Sequence, residues 1–210
     1  PVVVGGAGGE QIARLKVKLK GVTPPIWRRI EVPLSFSFRR LSDIIVAAFG
    51  WSNSHLHEFR VGTRGEPGER WLVMVEFIED RMSFFGAPPE DDNAAQLAEI
   101  LQTGERLAYS YDFGDGWQFG VLVEEVFTAA EGVVYPRVTH GRRAAPPEDC
   151  GGVWGYEEIL ALRDGLLDAD QADDPDRLEW VRDRFPYWEP ERFELDAANE
   201  WVLDAQPFWE

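Results

Sequence analysis

The stretch Tyr109-Ser110-Tyr111-Asp112-Phe113-Gly114-Asp115-Gly116-Trp117 reads as the tip of a β-hairpin. Before it Leu107, Tyr109 and Tyr111 alternate with Ala108, Ser110 and Asp112. After it Trp117, Phe119, Val121 and Val123 alternate with Gln118, Gly120, Leu122 and Glu124. Period-two alternation on both sides of a turn specifies two half-buried antiparallel strands. Asp115-Gly116 accepts the positive φ angles of a tight turn, and Gly114 lets the backbone bend beside it. Asp112 and Asp115 are therefore held at one rigid corner. There they either hydrogen-bond turn amides, as Asp commonly does, or form part of a site.

Working outward, Leu15, Val17 and Leu19 alternate with Lys16, Lys18 and Lys20, so residues 11–22 read as a strand that Thr23-Pro24-Pro25 ends. Residues 26–32 form a second strand paired with the first. Trp27, Arg29 and Glu31 share one of its faces and Ile26, Arg28, Ile30 and Val32 the other, which puts Arg28 among apolar neighbours. Its guanidinium either snorkels to water or contacts an anion. Leu41, Ile44, Ile45, Ala48 and Phe49 repeat at helical spacing, so Phe38–Phe49 is a helix with Ser35 or Ser37 at its start and Gly50 past its end. In residues 55–61, read as a strand, His55, His57, Phe59 and Val61 share a face. Residues 71–78 favour a strand, 63–70 and 86–92 loops, and 94–101 a short helix stopped at Gly104.

Residues 132–155 carry so many prolines and glycines that they read as a long loop, either functional or a structural cover. Helices follow at 156–167, 176–185 and 193–202, with an exposed acidic link at 168–176. The fold expected is α+β: a mainly antiparallel mixed sheet, a helix packed on one face and a C-terminal helical segment. Residues 1–10 read as a flexible tail and 11–210 as a single domain, with 156–203 a helical lobe.

The composition excludes several function classes. A 44% hydrophobic content and nine Trp in 210 residues supply enough apolar surface for a core. A net charge of −17 opposes phosphate-backbone binding, so sequence-specific nucleic acid is not the expected partner. One cysteine, Cys150, makes no intramolecular disulfide. With no run near the length of a membrane span, a cytoplasmic protein that does not engage membranes is the plain reading. No phosphate-binding Gly-rich loop followed by Lys-Ser/Thr occurs.

Four segments together carry a resemblance: Pro24-Pro25-Ile26-Trp27-Arg28-Arg29, the run from Gly50 to Phe59 (Gly-Trp-Ser-Asn-Ser-His-Leu-His-Glu-Phe), Tyr109 to Trp117, and the run from Pro146 to Tyr156. In that order, and over about residues 11–202, the chain resembles the family first described as the third open reading frame of a root-inducing plasmid. Its members are often labelled transposon passenger proteins. The resemblance implies an α+β fold, a bacterial or archaeal origin with links to mobile elements, and no established activity. Many relatives carry further cysteines near the positions of Val138 and Ala145. This chain keeps only Cys150, which argues against a cysteine-based metal cluster.

The chemistry left to weigh is concentrated in three places. His-x-His on a strand sends both rings to one side, so His55 and His57, completed by Asp112, Asp115 or Cys150, would suit a divalent metal such as zinc. The alternative is that both rings hydrogen-bond the turn and pack on Trp51 and Phe59. Arg142 and Arg143 could clamp a carboxylate or phosphate, or pair with Glu148 and Asp149. Cys150 beside Gly151-Gly152 lacks an evident base beyond His55, His57 and His140. Two functions follow. One is an accessory binding module holding a protein segment or small ligand in an aromatic and acidic groove of Tyr109, Tyr111, Asp112, Asp115, Trp117, Arg142, Cys150, Trp154 and Tyr156. The other is a metal-assisted hydrolase built on the His-x-His pair and the hairpin aspartates.

Overall fold

The computed structural model describes residues 2–5, 9–62, 69–74 and 89–205. The expectations for residues 63–68, 75–78 and 86–88 lie outside them. Among the described residues an eight-stranded sheet runs in the order β10-β3-β2-β8-β7-β4-β5-β6. Its strands are β2 (Gln11–Leu19), β3 (Trp27–Pro33), β4 (His57–Val61), β5 (Arg70–Val73), β6 (Pro89–Asp91), β7 (Arg106–Tyr111), β8 (Trp117–Thr128) and β10 (Arg137–Arg142). Every pairing is antiparallel except β5 with β6. The fold is α+β, as expected.

The hairpin sits at the centre and sets the register of what surrounds it. Tyr111 faces Trp117, Tyr109 faces Phe119 and Leu107 faces Val121 across β7 and β8, while His57, Phe59 and Val61 face Tyr111, Tyr109 and Leu107 across β4. The period of two therefore aligns apolar rows across several strands on one face. Helix α1 (Phe38–Phe49) lies on that face with Leu41, Ile44, Ile45 and Phe49 buried. Phe49 meets Phe119 edge-on at 5.0 Å and Phe38 meets Phe59 at 5.3 Å. The Ser37 hydroxyl accepts the Arg40 N–H, and Gly50 at φ 75° closes the helix with bonds to Ala47 and Val46.

Among the described residues three more helices complete the core. α2 (Gly152–Arg163) and α3 (Arg177–Arg184) pack on each other and bury Tyr156, Ile159 and Val181. α4 (Leu195–Asp204) packs on α1 and β10 and buries Ala198 and Val202. At the sheet edge its Asn199 side chain accepts the Val138 N–H (2.8 Å) and donates to the Val138 carbonyl (3.0 Å).

Several expectations need correction. Residues 132–155 are not one loop: β9 (Val134–Tyr135) pairs with β1 (Val3–Val4), so the tail read as flexible holds a strand, and β10 pairs with β3. Strand β10 escaped notice because it is an edge strand in which only Val138 is fully buried, so its sequence does not alternate. Pro89–Asp91, read as loop, is β6. The turn at 94–101 is a short 3-10 helix at Leu97–Glu99, and α2 begins at Gly152 rather than Tyr156. Arg28 does not snorkel to water. It is 2% exposed, with the faces of Phe49 and Phe193 on it at 4.7 and 4.3 Å.

Candidate functional site

Three of the four segments singled out in the sequence meet at the hairpin corner. Asp112 takes φ 54° and acts as its organiser: its Oδ1 accepts the N–H groups of Gly114 (2.9 Å) and Asp115 (3.3 Å), and its carbonyl accepts that of Gly116 (2.6 Å). Its own N–H donates to Leu56, which ties the corner to the chain entering β4. The turn-holding use of Asp112 is thus present, and so is a neighbour that turn-holding does not require. His55 places Nδ1 3.6 Å from Asp112 Oδ1 and Nε2 3.0 Å from Asp149 Oδ1.

The segment after α1 forms one wall. Trp51 stacks on Tyr111 at 5.5 Å and 15° and lies 5.5 Å from Trp117, and its indole N–H donates to the Pro146 carbonyl. Glu148 accepts the Ser52 N–H (2.8 Å) and the Tyr111 hydroxyl (3.1 Å), while the Tyr111 oxygen accepts the Ser54 N–H. Burial, then the adjacent Glu148 charge, pushes the Tyr111 phenol above its ordinary range. Residues 146–151 thereby close on both the 50–55 segment and the hairpin.

Two glycines make that closure possible. Gly152 has φ 68°, and a Cβ there would lie 2.3 Å from the Asp115 carbonyl oxygen. Asp115 Oδ2 accepts the Gly151 N–H at 3.1 Å. Asp149 is itself left-handed, at φ 61°, and projects exposed between two clefts. One, about 700 Å³, is lined by Asp43, Ser52, Asn53, Ser54, Glu148 and Asp149 among others. The second, about 630 Å³, includes Asp115, Cys150 and Arg177. Asp43, bonded to Asn53 at 2.9 Å, has a raised pKa because burial disfavours its charge.

The remaining expected site residues are dispersed. The His-x-His pair splits, since β4 begins only at His57 and His55 lies in the bend before it. His57 is buried with Nε2 2.6 Å from Asp92, whose other oxygen takes Arg39 at 2.7 Å. Tyr109 is also core, its hydroxyl bonded to Ser42 at 2.7 Å. Trp117 is buried, and its indole N–H has no partner among the described residues. The aromatics of the hairpin are thus the floor of the corner, not a groove wall. Arg142 and Arg143 alternate on opposite sides of the chain: Arg142 is exposed, and Arg143 is buried with Glu191 at 2.7 Å. Cys150 is buried, and burial together with Asp115 pushes its thiol up to about 12. Trp154 is 84% exposed, whereas Tyr156 is buried against Trp188. Asp149 and Asp43 were not singled out as site residues, and what brings them to the corner is backbone geometry.

Residues 11–197 match the family described as Plasmid pRiA4b ORF-3-like protein. The chain belongs to the plasmid pRiA4b ORF-3-like family. It is 36% identical over 173 residues, 80% of each chain, to the uncharacterized protein y4hQ of Sinorhizobium fredii (strain NBRC 101917 / NGR234). A crystal structure of a protein of unknown function, MM3350 from Methanosarcina mazei Go1, superposes with a TM-score of 0.72 and 34% identity. That likeness covers 90% of this chain and 96% of the archaeal one. The corner of this pRiA4b ORF-3-like protein thus lies inside the region shared with its relatives. Among its described residues no helix is long and apolar enough to cross a membrane.

Proposed function

We propose that this protein is an accessory binding module associated with mobile elements, which takes a cationic protein segment or small ligand in the acidic cleft beside His55. The observation that carries the reading is the convergence of Asp43, Glu148 and Asp149 with Ser52 and Ser54 on one cleft of about 700 Å³. Asp204 adds a further carboxylate and Arg184 one cation to the same lining, so acids outnumber bases there, and Trp51, Phe185 and Trp201 supply apolar wall between them. Carboxylates with hydroxyls between them match ammonium and guanidinium donors, and the net charge of −17 attracts such partners and repels duplex DNA.

The test is binding of a labelled Lys/Arg-Gly peptide to the full chain at physiological salt. Asp149→Asn keeps a residue tolerant of its left-handed backbone and is expected to weaken binding about two- to fivefold, the scale of one exposed ion pair, with an unchanged melting temperature. Equal weakening by Glu131→Gln or Asp170→Asn, both exposed and outside the cleft lining, would reduce the effect to bulk charge and overturn the reading.

One observation favours a second reading, metal-assisted hydrolysis. His55, Asp112 and Asp149 each offer a ligand atom within 4.8 Å of the others. These three could hold a divalent ion such as zinc, which when bound supplies an activated water. Against it, the two carboxylates approach different nitrogens of the His55 ring, Asp112 at Nδ1 and Asp149 at Nε2, whereas one ion takes only one ring nitrogen. Elemental analysis of protein purified without a His tag or added metal separates the two: stoichiometric zinc or manganese supports the hydrolase, and none supports the binding module.

A further inference from the structure

Among the described residues Arg28 is a cation with no anion. It is 2% exposed, and its bonds go only to backbone carbonyls: Nε to Ala48 (2.9 Å), Nη1 to Trp27 (2.9 Å) and Arg142 (3.2 Å). Nη2 makes no bond to the described residues. The ring faces of Phe49 and Phe193 hold the guanidinium at 4.7 and 4.3 Å and so fix its plane. Burial without a counter-charge lowers the pKa of this group. Structural buried arginines ordinarily meet a carboxylate, because a desolvated charge is costly until paired. The same chain shows the ordinary case in Arg143, which pairs with Glu191.

Arg28 lines a cavity of about 370 Å³ whose other walls include Phe49, Trp51, Trp188, Phe193 and Trp201. That volume is at the lower end of the range for small-molecule sites, and an apolar lining with one oriented polar group is their usual construction. We propose that this cavity binds a small organic monoanion, a carboxylate carried on a planar apolar body, with Arg28 Nη2 donating to the carboxylate and the aromatic walls taking the ring. The ligand is a monoanion because, among the described residues that line the cavity, Arg28 is the one cation without a carboxylate partner. Arg192, the other arginine in the lining, is paired with Glu194, and Glu148 and Glu189 at the same cavity oppose a second negative charge. Dianionic phosphate monoesters are disfavoured on that ground. The cavity adjoins the acidic cleft, sharing Trp51, Glu148, Phe185 and Trp201 with it, but Arg28 lines this cavity alone.

The test uses the full chain and two shape-matched probes, 2-naphthoate and the uncharged 2-naphthamide, with inorganic phosphate as a third. Titration is followed by calorimetry and by tryptophan fluorescence, because Trp51, Trp188 and Trp201 line the cavity. The expected result is saturable binding of one naphthoate per chain, about tenfold or more tighter than the amide, as a charge-assisted hydrogen bond requires. Phosphate should neither bind nor compete. Arg28→Met should abolish the preference for naphthoate over its amide. If that variant fails to fold, the ratio of the two probes on the unaltered chain is decisive by itself, and Trp201→Ala, at a half-exposed wall position, should weaken both probes together. Equal affinity for acid and amide, competition by phosphate, or no saturable naphthoate binding would overturn the proposal.

Discussion

Replacing Gly152 by Ala tests whether residues 146–151 are held on the hairpin by a single close backbone contact. At φ 68° a Cβ costs about 1 kcal/mol through the left-handed backbone alone. The added carbon would also sit 2.3 Å from the Asp115 carbonyl oxygen and 3.2 Å from its carbon. Backbone atoms in a tight turn cannot swing aside as a side chain can. The two segments must separate, and the bond from Gly151 N–H to the Asp115 carboxylate, 3.1 Å in the structure, is lost with them. A bond to a charged acceptor contributes about 1.5–3 kcal/mol, so the total expected is about 3 kcal/mol. Gly132→Ala is the matched control, at φ 73° with nothing within 4 Å of its Cβ position, and should cost only about 1 kcal/mol. Urea unfolding followed by tryptophan fluorescence reads both as midpoint shifts at constant slope. Equal losses in the two variants would refute the reasoning, because the difference between them is the steric contact.

Ile45→Asp should destabilise by several kcal/mol, on the order expected for an unpaired charge at a 1%-exposed core position; an unchanged circular-dichroism melt would count against the packing described. Asp43 has a folded-state pKa raised above 3.8, so the native chain holds its proton where the unfolded chain has released it. The stability it contributes is present below about pH 4 and lost as pH rises through the raised value. Asp43→Asn should flatten that part of the stability profile, and an unchanged slope in acid-side melts would contradict the assignment. With its thiol pushed up to about 12, only about one Cys150 in ten thousand is ionised at pH 8, so a disulfide reagent should label the native chain far more slowly than the urea-unfolded one. Equal rates in the two states would place the thiol at the surface.

The parts of the fold legible from sequence are those in which one periodicity is enforced at both ends. Phe38–Phe49 ends where it does because an apolar stripe runs between Ser37, whose hydroxyl caps, and Gly50, whose left-handed backbone stops it. The hairpin is similarly determined by alternation on either side of a turn. The alternation through His55 extends one residue pair beyond the strand, which begins at His57. Asn53 at φ 58° and the bonded hydroxyls of Ser52 and Ser54 keep the chain bent until His57, and neither feature leaves a periodic trace. The 50–55 segment, the hairpin and residues 146–151 are each marked in the sequence by turn residues, and the structure brings them together. The place of Asp149 is not so marked, because its approach to His55 depends on a left-handed residue and on the Gly152–Asp115 contact. Arg28 looked like an edge residue for a related reason: Phe193, which covers it, is remote in sequence.

Asn199 gives the sheet a terminus that the backbone does not supply. Val138 lies on β10, at the end of the strand order, and a bare N–H and carbonyl there would offer any passing extended chain a template to extend. The Asn199 amide, an N–H donor and a carbonyl acceptor on one side chain, matches that pair as a neighbouring peptide unit would and so covers the edge at Val138. One residue of a helix thus stands in for one rung of a further strand. A leucine in its place, apolar and similar in size, would bare the Val138 N–H and carbonyl again at that edge.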